Sequence, residues 1–295
     1  MNRVAVFAHY DKSNIIQEYV IYYLTELKKV CDKIIFVSDG NICEQELLKI
    51  KDIVIHSIAQ KHGEYDFGSY KRGYIYAKEM NLLNNCDEFI IANDSCYGPL
   101  YEFQIMFDKM KTQEIDFWGV TANSVGLHHE NNPHVQSYFM VFKPNVFKSE
   151  LFDNFIMSIK KEDNKPSIII NYEIGLSKLL VENGFKYDVY CKSSKYLKHS
   201  HVYSAYKLLK NDNNILVKTS LFRYTNIPPE VKASFKWLKA SNYNIRLIKS
   251  DLKYNLDKKG KSRHRKDRFK MYKRKIIRFS FKERTLLLLG KEFQF

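Results

Sequence analysis

The tripeptide Asn93-Asp94-Ser95 is the first group of residues whose types could carry out chemistry. It follows the apolar residues 89–92 and offers one carboxylate and two neutral polar side chains. A divalent cation that holds a diphosphate takes oxygen ligands of this kind, and phosphate and water supply the others. The same residue types also close strands as Asx turns. The tripeptide therefore predicts either a ligand site or a turn at a strand end.

A second polar segment, residues 66–73, runs into a predicted helix and contains Asp66, Gly68 and Lys71. A glycine-containing loop before a helix can present backbone N–H groups to an anion, and Lys71 would add a positive charge. The segment has neither the spacing of a Walker loop nor a GxGxxG pattern. The alternative interpretation is a helix N-cap at Asp66 or Ser69, with the glycines serving a turn.

The elements around these segments alternate between strands and helices. The predicted strands are residues 4–8, 34–37, 53–56 and 88–92, and the predicted helices are residues 15–30, 44–51 and 70–80. Such alternation indicates an α/β fold with a mostly parallel central sheet flanked by helices. Ligands of such sheets bind beyond the carboxyl ends of the strands. His9 and Asp11 follow the first strand, so we expect them beside Asn93-Asp94-Ser95.

The positive charge of the chain is concentrated near its carboxyl end. The whole chain carries +15, and residues 258–284 hold fourteen Lys or Arg against two acidic residues, a net of +12 that leaves +3 elsewhere. Apolar residues interleave with this charge, which predicts a basic, amphipathic, helical tail over residues 257–295 after a domain over residues 1–256. Such a tail can bind an anionic membrane surface or nucleic acid, or can be a solvated terminus.

The compartment is predicted from apolar runs and cysteines. No apolar run approaches the roughly 20 residues that span a bilayer, and the amino-terminal run is too short for a signal peptide. Five cysteines, odd in number and without a CxxC pair, fit reduced thiols. We therefore expect a cytoplasmic protein.

Five short motifs occur in a fixed order along the chain. They are Asp66-Phe67-Gly68-Ser69-Tyr70-Lys71, Asn93-Asp94-Ser95 with Tyr97-Gly98-Pro99, Asp116-Phe117-Trp118-Gly119, Gln136-Ser137-Tyr138-Phe139 and Tyr172-Glu173. The set resembles the rhamnan synthesis protein F family of bacterial polysaccharide glycosyltransferases, over roughly residues 3–225. The resemblance implies a GT-A-like nucleotide-sugar fold. It also implies transfer of a sugar, often rhamnose from dTDP-rhamnose, to a cell-surface glycan.

The resemblance also implies roles for individual residues. Asn93-Asp94-Ser95 stands where GT-A enzymes usually carry Asp-x-Asp, although Asp94 is its only carboxylate. A divalent cation, Mn or Mg, is accordingly expected at Asp94, with His201 as a late ligand. The expected donor-binding residues are His9, Asp11, Asp66, Gly68, Lys71, Asn93, Asp94 and Ser95. The expected acceptor or sugar pocket consists of Trp118, His134, Gln136 and Ser137.

A transfer that inverts the sugar needs a group that takes the proton of the acceptor hydroxyl. The candidates are Glu173, Asp116 and His134, and we favour Glu173 with Asp116 next. The alternative for Glu173 is a helix amino-terminal charge that complements the helix dipole.

The sequence thus predicts a glycosyltransferase that moves rhamnose from dTDP-rhamnose, or a hexose from a UDP-sugar, to a lipid-linked or oligosaccharide acceptor. Its basic tail, residues 258–284, would hold it at the inner face of the plasma membrane. One alternative is a nucleic-acid-binding protein acting through that tail. Because the rest of the chain is nearly neutral and carries no reading motif, no specific nucleic-acid partner is expected. Another alternative is a catalytically inactive sugar-binding relative.

Overall fold

The computed structural model describes residues 1–125, 131–196, 203–223, 228–259, 279–280, 285–288 and 291–294. The chain divides into two compact units, residues 1–248 and 249–295. The first unit spans all the predicted site residues, and one of them, His201, lies outside the described residues. The division predicted from the sequence, after residue 256, lies where the basic tail begins.

The first unit alternates strands and helices as predicted. Its strands are β1 (Arg3–His9), β2 (Lys33–Ser38), β3 (His56–Ala59), β4 (Glu88–Asn93), β5 (Cys96–Tyr97), β6 (Phe117–Gly119), β7 (Ala122–Val125), β8 (Asn131–Val135), β9 (Phe139–Phe142), β10 (Tyr187–Val189) and β11 (Val217–Lys218). Its helices are α1 (Glu18–Lys28), α2 (Glu44–Leu47), α3 (Tyr65–Glu79), α4 (Phe103–Lys111), α5 (Pro144–Phe147), α6 (Glu150–Ser158), α7 (Lys165–Ile168), α8 (Gly175–Glu182), α9 (Ala205–Asn211), α10 (Thr219–Arg223) and α11 (Pro228–Ala240). The 3-10 turns Leu48–Ile50 and Lys192–Tyr196 and the π-helix Ile169–Ile174 complete it.

The central sheet has seven strands in the order β10-β6-β9-β4-β1-β2-β3. All its pairs are parallel except those of β9, which runs antiparallel to both β4 and β6. Every residue of β1 and β4 is buried. A strand buried on both faces needs a continuous apolar run, which is why these two were readable from the sequence. The predicted α/β class with a mostly parallel sheet is confirmed.

The reversal of β9 matters for the site. Because β9 is antiparallel to β4, its first residue Phe139 lies beside Ala92, near the end of β4. The residues just before β9, including Ser137, therefore reach the edge of the sheet where the parallel strands end. A small second ribbon pairs β11 with β5 and places Lys218 opposite Cys96 at the same edge.

Two predicted elements are wrong in detail. The polar segment 66–73 is not a loop, because α3 begins at Tyr65 and already includes it. The third strand is His56–Ala59 rather than residues 53–56, since Ile53 and Val54 close a turn onto Ile50. Short apolar runs do not fix the register of a strand, and the three-residue displacement of β3 shows this.

The second unit begins within helix α12 (Ile245–Lys259). Strands β12 (Phe279–Ser280), β13 (Thr285–Leu288) and β14 (Lys291–Gln294) pair antiparallel. Where the structure describes the chain beyond residue 278, it is therefore in strands and not in the predicted helix. Residues 260–278, which hold most of the tail's charge, lie outside the described residues. In the described residues no helix is long and apolar enough to cross a membrane.

Helix α3 packs directly on β1 at Gly73. A Cβ atom added there would lie 2.3 Å from Cγ1 of Val6, a fully buried residue of β1. We expect Gly73→Ala to lower the free energy of unfolding by about 1–3 kcal/mol, because the buried strand cannot move aside. Urea unfolding measures this.

Gly175→Ala is the matched control, because its Cβ would meet Ile170 O at 3.4 Å and Phe155 at 3.9 Å, ordinary contacts. It should be neutral or stabilising by up to about 1 kcal/mol through helix propensity. Equal effects of the two substitutions would contradict the close packing of α3 on β1.

Candidate active site

The carboxyl ends of β1 and β4 bring His9 and Asp94 together. The two strands are adjacent and parallel, and the Asp94 backbone N–H donates to the carbonyl of Ala8 at 3.2 Å. Asp94 Oδ2 accepts a hydrogen bond from the Tyr10 N–H at 3.0 Å and lies 3.8 Å from His9 Nε2. The other ring nitrogen of His9, Nδ1, is 3.0 Å from Ser38 Oγ. Two residues predicted from separate strands thus share one edge, as expected.

Asn93 links the strand end to helix α3. Its side-chain N–H donates to Asp66 Oδ2 at 2.8 Å, while its Oδ1 accepts from the backbone N–H and the hydroxyl of Ser95. The contact to Ser95 is the Asx turn that the residue types also allowed. The contact to Asp66 was not predictable from spacing, since the two residues are 27 positions apart. The tripeptide is therefore both a turn and part of the polar cluster.

Glu173 reaches the same edge from the π-helix Ile169–Ile174. Its Oε2 accepts from Ser137 Oγ at 2.9 Å, and its Oε1 lies 3.6 Å from Nε2 of His134. His134 Nδ1 is 2.7 Å from the carbonyl of Asn132. Single π turns within helices occur frequently at functional sites, because they rotate a side chain out of the regular helical position.

Lys218 is a residue of this edge that sequence reasoning missed. Its ammonium donates to Ser95 Oγ at 2.9 Å and lies 4.4 Å from the centroid of the Tyr138 ring. It arrives on β11, a strand of two residues, 123 positions after Ser95. No periodicity marks so short a strand, so the sequence holds no signal that could have placed Lys218 here.

The pKa of the Asp66 carboxyl group is shifted strongly by its surroundings. Burial raises its pKa to about 6, and the nearby charges of Asp94 and Glu173 act in the same direction. Lys218 and Lys165 oppose this rise. Burial also lowers the pKa of His9 to about 4, against the opposing charge of Asp11, so its imidazole is neutral at pH 7.

Glu173 responds differently to the same surroundings. Burial acts to raise its pKa, but contact with His134, the charge of Lys218 and the hydrogen bond from Ser137 together lower the pKa below its usual value. Glu173 is therefore a carboxylate at neutral pH, with one oxygen fixed by a hydroxyl. Such a group can accept a proton from a hydroxyl that is brought next to it.

Two predicted site residues lie away from this cluster. The ammonium of Lys71 donates to the carbonyls of Met157 and Ile159, at 2.8 and 2.7 Å, so it anchors α6 instead of facing a phosphate. Asp116 immediately precedes β6. Strands β6 and β4 start at the same end of the sheet, so Asp116 lies at the end opposite the polar cluster. Its two oxygens accept from the Asn145 side chain and the Lys186 N–H. The predictions of Lys71 as a phosphate ligand and Asp116 as a base are corrected accordingly.

Three further predicted residues are buried in the fold. Trp118 is 1% exposed and packs on the rings of Phe107 and Phe139, so it belongs to the core and not to a sugar pocket. Gly68 allows α3 to approach the Glu64 side chain. Gln136 is buried, and its Oε1 accepts from Thr121 Oγ1, which in turn contacts the hydroxyl of Tyr138.

The predicted cation ligands were Asp94 and His201. In the parts of the chain that the structure describes, no three His, Cys, Asp or Glu side chains are grouped to hold a metal ion. Asp94 Oδ2 accepts a hydrogen bond from the Tyr10 N–H, and the neighbouring Ser95 hydroxyl accepts one from the positively charged ammonium of Lys218. A cation at Asp94 would therefore have to take its other ligands from phosphate and water, as expected from the sequence.

Comparisons with known proteins give a family match and distant relatives. The family model described as rhamnan synthesis protein F matches residues 34–272. The chain is 26% identical over 152 residues to uncharacterized protein y4gN of Sinorhizobium fredii, covering 52% of this chain and 39% of that protein. It is 27% identical over 159 residues to virulence protein VirA of Vibrio anguillarum, covering 53% and 48%. The matched part spans less than half the length of these curated relatives.

Among solved structures, core-mannan synthase A from Aspergillus fumigatus in its Mn/GDP form is similar, with a TM-score of 0.38 and 10% identity. The similarity covers 64% of this chain and 73% of that one.

The raised pKa of Asp66 leads to a pH-dependent prediction. Because its pKa in the folded chain lies above the unfolded value, the native state loses stability as pH rises through about 4 to 6. Asp66→Asn keeps an acceptor for Asn93 and removes the charge. We expect it to raise the free energy of unfolding by about 1–2 kcal/mol at pH 8.

Urea unfolding at pH 8 and at pH 4 measures this effect. The gain should shrink towards pH 4, where the wild-type side chain is neutral as well. A gain of the same size at both pH values would contradict a charge-based origin.

Proposed function

Because the chain belongs to the rhamnan synthesis protein F family, we propose that it is a glycosyltransferase that moves a sugar from a nucleotide-sugar donor to a glycan or lipid-linked acceptor. Its fold class is the one expected for such an enzyme, an α/β, GT-A-like fold with a mostly parallel central sheet. The proposed donor is dTDP-rhamnose or a UDP-hexose, and the proposed setting is synthesis of a bacterial cell-surface polysaccharide.

The observation that carries the proposal is the position of Glu173. It is an ionised carboxylate, oriented by Ser137, and its charge influences Asp66 at the carboxyl ends of β1 and β4. Ligands of open α/β sheets bind at this edge. An interaction with the helix dipole does not explain why Glu173 also accepts a hydrogen bond from Ser137, which precedes β9.

The proposed reaction is a single displacement at the sugar carbon. The acceptor hydroxyl oxygen forms a bond to C1 of the donor sugar, and its proton passes to the carboxylate of Glu173. The bond between C1 and the diphosphate oxygen breaks, and its electron pair leaves with the nucleoside diphosphate. His134 and Ser137 hold Glu173 in place, and Asp66 and Asn93 offer oxygen and N–H groups to the hydroxyls of the donor.

Glu173→Gln tests this role, because it keeps the size of the side chain and removes its ability to take a proton. We expect kcat to fall about 10²- to 10⁴-fold, while binding of the nucleoside diphosphate is retained. The assay measures release of nucleoside diphosphate from dTDP-rhamnose, UDP-glucose, UDP-galactose or GDP-mannose in the presence of membrane lipid extract.

Glu182→Gln, on the exposed end of α8, is the control and should leave turnover unchanged. Undiminished turnover by Glu173→Gln would exclude Glu173 as the base. Wild-type protein that binds a nucleotide but releases none from any donor would instead support the inactive sugar-binding alternative.

The net charge of +12 over residues 258–284 supports a second part of the proposal, peripheral binding to an anionic membrane surface where a lipid-linked acceptor lies. Each Lys or Arg near such a surface contributes about 1 kcal/mol. Replacing Lys273, Arg274 and Lys275 with Ala should therefore weaken binding to phosphatidylglycerol vesicles roughly a hundredfold in cosedimentation.

Vesicles of phosphatidylcholine provide the uncharged comparison, and neither protein should bind them. Equal binding of both proteins to the anionic vesicles would reject the electrostatic attachment. Tight binding of wild type to duplex DNA at the same salt concentration would favour the nucleic-acid alternative.

A further inference from the structure

We propose that Lys218 binds the diphosphate of the donor and stabilises its negative charge as it leaves. This inference rests on the proposed sugar-transfer function and assigns a residue to the leaving-group side of the reaction. A leaving diphosphate needs a cation or oriented dipoles beside it. Lys218 places an ammonium next to Asn93-Asp94-Ser95, at the strand end where the donor is proposed to bind.

The ammonium of Lys218 is positioned by the backbone. Strand β11 pairs with β5, so Lys218 stands opposite Cys96, and the N–H of Thr219 donates to the carbonyl of Ser95 at 2.8 Å. These bonds fix the base of the side chain at the turn that follows β4. The ammonium then needs only its own four-carbon chain to reach the strand end, where it bonds to Ser95 Oγ.

The aromatic ring under Lys218 is fixed as well. Tyr138 is 2% exposed, its hydroxyl is 2.7 Å from Thr121 Oγ1, and its carbonyl accepts from the N–H of Asn93 at 3.2 Å. A cation held over such a ring loses little freedom when it binds an anion. Neither the Ser95 hydroxyl nor the Tyr138 ring carries a formal charge, so the ammonium keeps its positive charge and can also attract a phosphate.

The acidic groups around the end of β4 favour a positive charge at the position of Lys218. Asp66, Asp94 and Glu173 are acidic groups around one edge, and the charge of Lys218 lowers the pKa of both Asp66 and Glu173. A diphosphate brought to the same edge would add negative charge to three carboxylates. Lys218 reduces that repulsion, and a compact ammonium suits a phosphate as a point charge.

Lys218→Met tests the inference, since methionine keeps an unbranched chain over Tyr138 and removes the charge. In calorimetric titrations of the full chain with UDP and dTDP, we expect affinity to fall about ten- to a hundredfold. Uridine and thymidine lack the diphosphate, so their binding should change less than about twofold. Lys218→Arg keeps a cation and should restore part of the diphosphate affinity.

Lys210→Met is the matched control, because Lys210 is exposed on α9 and its removal changes the net charge equally. It should leave all four affinities unchanged. If Lys218→Met weakens nucleoside and nucleotide binding equally, the side chain only supports the structure of the turn, and the inference is wrong. If Lys218→Met binds UDP and dTDP as wild type does, the inference fails while the proposed function stands.

Titrations of the wild-type protein distinguish failure of the proposed function from failure of the inference about Lys218. Wild type that binds none of UDP, dTDP, GDP and CDP, and releases none from its sugar conjugates, would reject the proposed function and this inference with it. Repeating the titrations in EDTA separates Lys218 from a metal contribution. A loss of affinity in Lys218→Met that disappears in EDTA would overturn the inference, because the charge would then act through a metal and not on the diphosphate.

Discussion

The constraint on which the site depends is the crowding of negative charge at one edge of a buried sheet. Asp66, Asp94 and Glu173 come from a helix, a strand end and a π-helix. Burial raises the pKa of Asp66, and the charges of Asp94 and Glu173 add to this rise. Such a cluster is tolerated in the fold because neighbouring polar and positively charged groups compensate its negative charge. The side chains of Asn93 and Ser137, the Tyr10 N–H and the ammonium of Lys218 do this. Removing the charge of Lys218 would therefore raise the pKa of both Asp66 and Glu173.

The sheet topology explains how so many segments meet. Parallel strands β1 and β4 end at the same edge, which places His9 beside Asp94. The reversed strand β9 begins where β4 ends and so contributes Ser137 from its amino side. The ribbon of β5 and β11 then returns a distant part of the chain to Ser95. A purely parallel sheet would bring only strand ends to this edge, whereas the reversed strand brings a strand beginning as well.

The parts of this arrangement that the sequence could predict are those set by local pattern. The continuous apolar runs of β1 and β4 predicted buried strands, and the polar residues after them predicted that polar side chains meet where these strands end. Asp116 and Trp118 show where prediction from local pattern fails. A motif next to a predicted strand does not reveal whether a residue lies at the start of that strand, as Asp116 does, or is buried in the core, as Trp118 is. Lys71 was misplaced for another reason. Its partners are carbonyls of residues 157 and 159, and contacts so far apart in sequence depend on packing that no spacing encodes.

The proposed base and the proposed anion-binding charge are positioned by different elements. Glu173 is oriented through Ser137, which precedes β9, whereas Lys218 is oriented through Ser95 and the pairing of β11 with β5. The two supports meet at β4, because the Asn93 N–H donates to the carbonyl of Tyr138 and the Asn93 side chain accepts from Ser95. A sugar bound at this strand end would have a proton acceptor and a cation available from separate elements. The two supports are not electrostatically independent, because the charge of Lys218 also lowers the pKa of Glu173.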